Sequence, residues 1–318
     1  MGFSSIIGHD RQKEFLLSLH KRERLPHAFL FSGQEGVGKR KLALEFIKHI
    51  LCDEGTGCDR CRPCLKLAHG THPDLLIVEG TESIGIAQAR MISREVCEHP
   101  YEGRKRAVII DRAETMTREA ANALLKTLEE PPPFNIFFLI TSSEREIPFT
   151  VRSRAARVTF GPLTHKDVED YLVKILKMEQ GKAQLLSSQS YGSIGCALFW
   201  AEKENLLLRR TLGELVMGKT KGYVTSTILS ERISKTERSL GLYLSFLLSF
   251  FCDLYKVRYG KVFSPLVNKD LKDLIEWGPA DLRWIEGSLQ KIQETILNMR
   301  YNINKWLLFE NMLLHIMR

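Results

Sequence analysis

The sequence predicts a three-layer α/β domain followed by helical domains, and three observations carry that expectation. Gly33 to Arg40 reads GQEGVGKR and lies between a short apolar run and a helical pattern. Three further apolar runs, Leu75 to Val78, Ala107 to Ile110 and Ile136 to Ile140, have the length of buried parallel strands, and helical stretches separate them. Beyond Thr164 the strand signals fade and helical periodicity takes over.

The first strand is expected at His27 to Ser32 (HAFLFS), which enters Gly33 directly. Gly33, Gly36 and Gly38 allow backbone N–H groups to close around phosphate oxygens, and Lys39 is the side chain that reaches β- and γ-phosphates. A helix over Lys41 to Leu51 follows, with Leu42, Leu44, Phe46, Ile47 and Ile50 at helical spacing. Strand, loop and helix in that order supply the oriented amides an anion needs. A complete loop continues with a Ser or Thr whose hydroxyl holds magnesium, and here Arg40 stands in its place. A guanidinium has five donors, no acceptor and a permanent positive charge, so it cannot ligate a cation. ATP binding through Gly33, Gly36, Gly38 and Lys39 stays open, whereas magnesium-dependent hydrolysis loses a ligand.

Later in the domain Thr117 can cap a helix running to Glu130, with Ala120, Leu124 and Leu128 on one face and Pro131-Pro132-Pro133 as its stop. Val108-Ile109-Ile110-Asp111 is an apolar strand ending in a carboxylate, which is either a magnesium position or a plain strand-end cap. Thr141 ends the next strand, where its hydroxyl can satisfy local backbone groups. Arg104-Lys105-Arg106 reads as a solvated turn or a contact to DNA phosphates. Gly161-Pro162 closes the α/β region, giving domains at 1–162, 163–205 and 206–318, with loops at Gly218 to Gly222 and Tyr259 to Pro265.

Cys58, Cys61 and Cys64 follow a C-x2-C-x2-C pattern, and Cys52 lies just upstream. Four thiolates at tetrahedral reach select zinc, and a closed shell of sulfurs leaves no open position for catalysis, so the role would be structural. The insert is too short for a core of its own, and metal ligation, worth ~10 to 16 kcal/mol in small zinc peptides, is what could order it. An iron–sulfur cluster is the alternative, and His69 and His72 are nearby spare ligands.

The 318 residues carry 46 Lys and Arg against 38 Asp and Glu, a net charge of +8 that suits an acidic partner such as nucleic acid without requiring one. Arg11 and Lys13 interrupt the N-terminus before an apolar signal core can form. Leu240 to Cys252 is the longest apolar run and falls short of the roughly 20 residues that span a bilayer. Its Tyr243, Phe246, Leu247, Phe250 and Phe251 cover more than one helical face, as in a core or a subunit interface. A cytoplasmic protein with no membrane segment is expected, its seven cysteines being thiols or metal ligands.

Asn122 to Pro132 (NALLKTLEEPP), together with LFSGQEGVGK at Leu30 to Lys39 and Ser153-Arg154, resembles the AAA+ clamp-loader subunits of bacterial DNA polymerase III. The four-cysteine insert after the loop helix is another mark of that family, although Cys52 and Cys58 stand closer together than is usual in it. The resemblance covers residues 1 to 160 closely, the small helical block less so, and the remainder only in architecture. It implies an AAA+ domain, a helical lid and a helical collar that holds a heteromeric ring together. In the family's ATPase motor, the gamma/tau type, a glutamate after the strand-end aspartate polarises water, and a G-S-x-R sequence carries a nucleotide-sensing arginine. Arg112 and Gly195 stand at those positions here.

With Arg40, these departures favour the family's non-hydrolysing subunit type. The resemblance also implies that Arg154 is an arginine finger acting on a neighbour's ATP, against the plain reading of Arg152, Arg154 and Arg157 as a solvated basic run. Ala155 stands where the family has cysteine. Implied partners are the gamma/tau and delta subunits, and through them the sliding clamp and primed DNA. The rival readings are an ATP-hydrolysing gamma/tau-like motor and a zinc-dependent DNA-binding module.

Overall fold

The structure is a computed structural model that describes residues 3, 6–80, 83–219, 223–259, 265–276, 281–301 and 303–317. The loops expected at 218–222 and 259–265 lie largely outside the described residues. The chain forms two compact units, Met1–Tyr171 with Gly192–Gly195, and Leu172–Tyr191 with Cys196–Arg318.

In the first unit the order is α1 (Asp10–Lys21), β1 (Ala28–Gly33), α2 (Lys39–Leu51), α3 (Arg62–Ala68), β2 (Leu75–Glu79) and α4 (Ile86–Glu95). There follow β3 (Arg106–Asp111), α5 (Arg118–Glu129), β4 (Asn135–Thr141), the single turn α6 (Phe149–Arg152), β5 (Ala156–Phe160) and α7 (His165–Asp170). The strands form one parallel sheet in the order β2-β3-β4-β1-β5. Parallel strands need crossover helices on both faces, and strands covered on both faces read as continuous apolar runs. β1 and β4 behave this way: Phe29, Phe31, Phe138 and Ile140 enter the core beside α1 and α2, whereas Leu30, Phe137 and Leu139 enter the core beside α4 and α5. Phe29 and Phe138 stack with ring centroids 5.3 Å apart. The expected three-layer α/β domain is present.

β1 to β4 fall on the expected apolar runs. β5 was not among them, because Arg157 and Thr159 face outward at the sheet edge and only Val158 and Phe160 alternate inward. α5 is capped by Thr117, whose hydroxyl accepts the Ala120 N–H, and it ends just before the proline run. The basic run at 104–106 is not a solvated turn throughout. Arg106 is 2% exposed, and its guanidinium donates to the carbonyls of Glu95, Glu98 and His99, which removes it as a DNA contact.

The second unit is helical: α8 (Gln180–Gln189), α9 (Ile194–Ala201), α10 (Lys203–Val216), α11 (Tyr223–Ile233), α12 (Glu237–Tyr259), α13 (Lys272–Glu276), α14 (Leu282–Asn298) and α15 (Lys305–Ile316). Glu237–Arg258 is long and apolar enough to cross a membrane by length and composition, with half of its most apolar stretch buried inside the protein. Tyr243, Phe246, Leu247, Phe250 and Phe251 are all buried, so the aromatic stripe is core. A polar knot lies within it. Arg209, 1% exposed, donates to Asp270 at 2.6 Å and to Asn268 Oδ1, and sits 4.6 Å over the Phe246 ring. Asp253, fully buried, accepts the N–H groups of Val267 and Asn268. A buried charge is tolerated only when paired and hydrogen-bonded in this manner.

Candidate functional site

β1 delivers the chain to Gly33 at the end of the sheet, and the loop turns back into α2 at Gly38. Gly36 has φ 77°, and a Cβ there would lie 2.4 Å from Ser193 Oγ; Gly38 has φ 107° as the residue preceding α2. Both conformations are ones only glycine adopts without strain. Lys39 is 6% exposed and donates its ammonium to the carbonyls of Gly33 and Gln34, the latter at 2.8 Å. Burial lowers the Lys39 pKa, while the carboxylates of Glu114, Asp111 and Glu35 act in the opposite sense. The segment Gly192–Gly195 closes over the loop: Ser193 Oγ donates to the Glu35 carbonyl at 2.8 Å, and the Gly195 N–H to the Gly36 carbonyl at 3.0 Å.

Arg40 opens the helix with its guanidinium turned to the strand ends. It pairs with Glu79 at the end of β2 and with Asp111 at the end of β3, the latter at 3.4 Å, and these carboxylates stand in register. The other Asp111 oxygen accepts the Arg112 N–H at 3.0 Å. These contacts do not fit a bound magnesium ion, because one side of Asp111 faces a cation and the other a backbone donor. Arg112 has φ 54°, and its side chain donates to the Gly80 carbonyl at 3.2 Å. A donor of fixed positive charge cannot take a proton from water. Thr141 Oγ1 accepts the Ser143 N–H at 3.0 Å, the local backbone role expected of it.

Sequence reasoning overlooked Glu114. Its Oε1 accepts from the Ser142 N–H and hydroxyl, and its buried Oε2 has no partner among the described residues. It is the strongest of the carboxylates acting on Lys39. The available signal was an acid one helical turn after Asp111, on the short 3-10 turn Ala113–Thr115.

Arg154 lies away from the loop, just after α6. One terminal nitrogen donates to the Thr150 carbonyl at 2.7 Å and the other to Glu129 at the end of α5, 2.5 Å away. Its side chain is 33% exposed. Arg152 and Arg157 are partnered differently, both with Glu144. The three arginines are therefore not one undifferentiated solvated run.

The four cysteine sulfurs at Cys52, Cys58, Cys61 and Cys64 all lie within 4.8 Å of one another, with Cys52 and Cys64 buried. The Cys52 and Cys61 sulfurs are 3.8 Å apart. Tetrahedral Zn–S bonds of about 2.3 Å place sulfurs about 3.8 Å apart, so the cluster fits a single ion. Backbone N–H groups of Cys58 and Cys61 point at the sulfurs of Cys52 and Cys58. Burial pushes the Cys52 thiol up, but N–H donors of Cys58, Thr56 and Glu54 outweigh it and bring the pKa to about 6. Burial and the neighbouring thiols drive Cys64 far above the usual thiol range. A cation is what would let all the sulfurs ionise together. His69 is exposed, and His72 Nδ1 accepts the Asp74 N–H, so neither joins the cluster.

The family described as "DNA polymerase III, delta subunit" matches residues 8–164. DNA polymerase III subunit delta' of Bacillus subtilis is 30% identical over 91% of this chain and 86% of its own length. Its Escherichia coli counterpart is 28% identical over 95% of this chain and 92% of its own. The tau/gamma subunit of Haemophilus influenzae is 33% identical, but over 56% of this chain and 26% of its own length. Likeness to delta' runs nearly end to end in both proteins, whereas the Haemophilus tau/gamma subunit is matched over about half of this chain and a quarter of its own length, and the chain belongs to the delta' family of bacterial DNA polymerase III clamp-loader subunits.

Proposed function

We propose that the chain is a non-hydrolysing member of the clamp-loader ring, docked beside a gamma/tau subunit and presenting Arg154 to that subunit's ATP. The observation that carries this reading is the contrast between two arginines. Arg40 is tied to Glu79 and Asp111, at the strand ends where a hydrolysing site would hold magnesium, while Arg154 is held by Glu129 and the Thr150 carbonyl at the far end of α5. A planar guanidinium supplied from outside a nucleotide site stabilises charge on the transferring phosphoryl group, an effect of ~10^3 to 10^5 in rate in related NTPases. The chain assists ATP-driven loading of the sliding clamp onto primed DNA, with gamma/tau and delta subunits as partners, in the cytoplasm.

Zinc at Cys52, Cys58, Cys61 and Cys64 belongs to the same reading, as a tie that orders the insert between α2 and α3 without any step in the chemistry. The domains are then 1–162, 163–205 as a lid and 206–318 as a collar. Gly33, Gly36, Gly38 and Lys39 form a residual loop that retains the means to touch phosphate and lacks those to cleave it. Steady-state ATP hydrolysis by the isolated chain tests this directly: no turnover above background is expected. Rapid turnover abolished by Lys39→Ala would make the chain a motor subunit instead.

A further inference from the structure

Glu129 and Arg154 meet although neither motif refers to the other. Glu129 closes α5, a helix fixed at its start by the Thr117 cap and at its end by the proline run. Arg154 follows α6. Each side chain emerges next to a residue anchored in the same apolar core, Leu128 beside Glu129 and Val151 near Arg154, both 1% exposed. The guanidinium is gripped along two edges, Nη2 by Glu129 and Nη1 by the Thr150 carbonyl, with Ser153 Oγ 3.4 Å away. Among the described residues Nε–H and one Nη2 hydrogen have no acceptor.

Side chains this exposed, 33% and 44%, gain little stability from pairing. Geometry is what the pair provides. A free arginine loses rotamer freedom when it is ordered. One already held in a plane loses less at the moment it is used. Among the described residues Glu129 pairs with Arg154 alone, since Arg152 and Arg157 share Glu144.

We propose that Glu129 is a positioning residue that preorganises the Arg154 guanidinium for a phosphate bound by the neighbouring subunit. This rests on the reading of Arg154 as an arginine finger. The test uses the loader reconstituted with its gamma/tau and delta subunits, the sliding clamp and primed DNA, comparing Glu129→Gln, Arg154→Ala and the double variant. Single-turnover ATP hydrolysis is measured, together with KM for ATP and the thermal midpoint.

Glu129→Gln keeps shape and removes charge, and it is expected to slow hydrolysis about tenfold at unchanged KM and thermal midpoint, as misplacement of a catalytic group does. In the Arg154→Ala background it is expected to add no further loss, because Glu129 acts only through Arg154. Equal slowing in both backgrounds would overturn the proposal, as would full activity of Glu129→Gln beside an impaired Arg154→Ala. Full activity of Arg154→Ala would instead remove the finger reading itself, and Glu129 would have nothing to position.

Discussion

A hydroxyl and a guanidinium at position 40 differ in sign as well as in size. Arg40 sets a fixed positive charge against Glu79 and Asp111, two carboxylates in register at neighbouring strand ends that would otherwise repel. It offsets that repulsion permanently, because a guanidinium does not lose its charge. Lys39 is likewise turned onto its own loop, at the Gly33 and Gln34 carbonyls. Arg40→Thr should free Asp111 and restore a hydroxyl beside it. Titration calorimetry of that variant is expected to reveal ATP affinity that depends on magnesium, with turnover still absent because Arg112 remains. Identical affinity with and without the metal would refute this account of Arg40.

At the scale of elements, the cysteine insert and the sheet draw on different forces. β1 and β4 are buried along their length, and each large apolar side chain removed from water contributes about 1.5 to 3 kcal/mol. The stretch from Cys52 to Cys64 has mainly its clustered sulfurs and a few ion pairs, such as Lys48 with Asp59. Removing the metal with a chelator should abolish hydrogen-exchange protection at residues 52–64 and leave β1 and β4 protected. Unchanged protection in the insert, or purified protein free of metal on elemental analysis, would sink the zinc assignment.

The same division explains what was legible in the sequence. Buried parallel strands announce themselves as apolar runs, and metal ligands as a spacing. The edge strand β5 did not, because half of its residues face outward. The burial of Arg106 and the pairing of Arg154 with Glu129 were not legible either. Both depend on chain segments brought together only by the fold, and a charged residue in a basic run looks the same whether it is solvated or capped by distant carbonyls.

For the whole molecule, what unites the observations is a change in where the chemistry lies. In the proposed reading Arg40, Arg112 and Gly195 would each close a route by which the chain could cleave a nucleotide of its own, and Arg154, paired with Glu129, would act from a different surface of the α/β unit. The helical unit is built on a long aromatic helix, and a buried polar knot of Arg209, Asp270 and Asn268 is tied to it through Asp253. Such a knot specifies one packing of the helices, as a subunit that must present a fixed surface to its neighbours requires.

The central claim is that this chain serves a neighbour's ATP with Arg154. Its most direct test is the single-turnover rate at the adjoining gamma/tau site in a loader assembled with Arg154→Ala, with clamp and primed DNA present. A fall of ~10^3 to 10^5 at that site, with assembly intact, is the predicted result. Hydrolysis there at the full rate, with clamp loading undiminished, would contradict it.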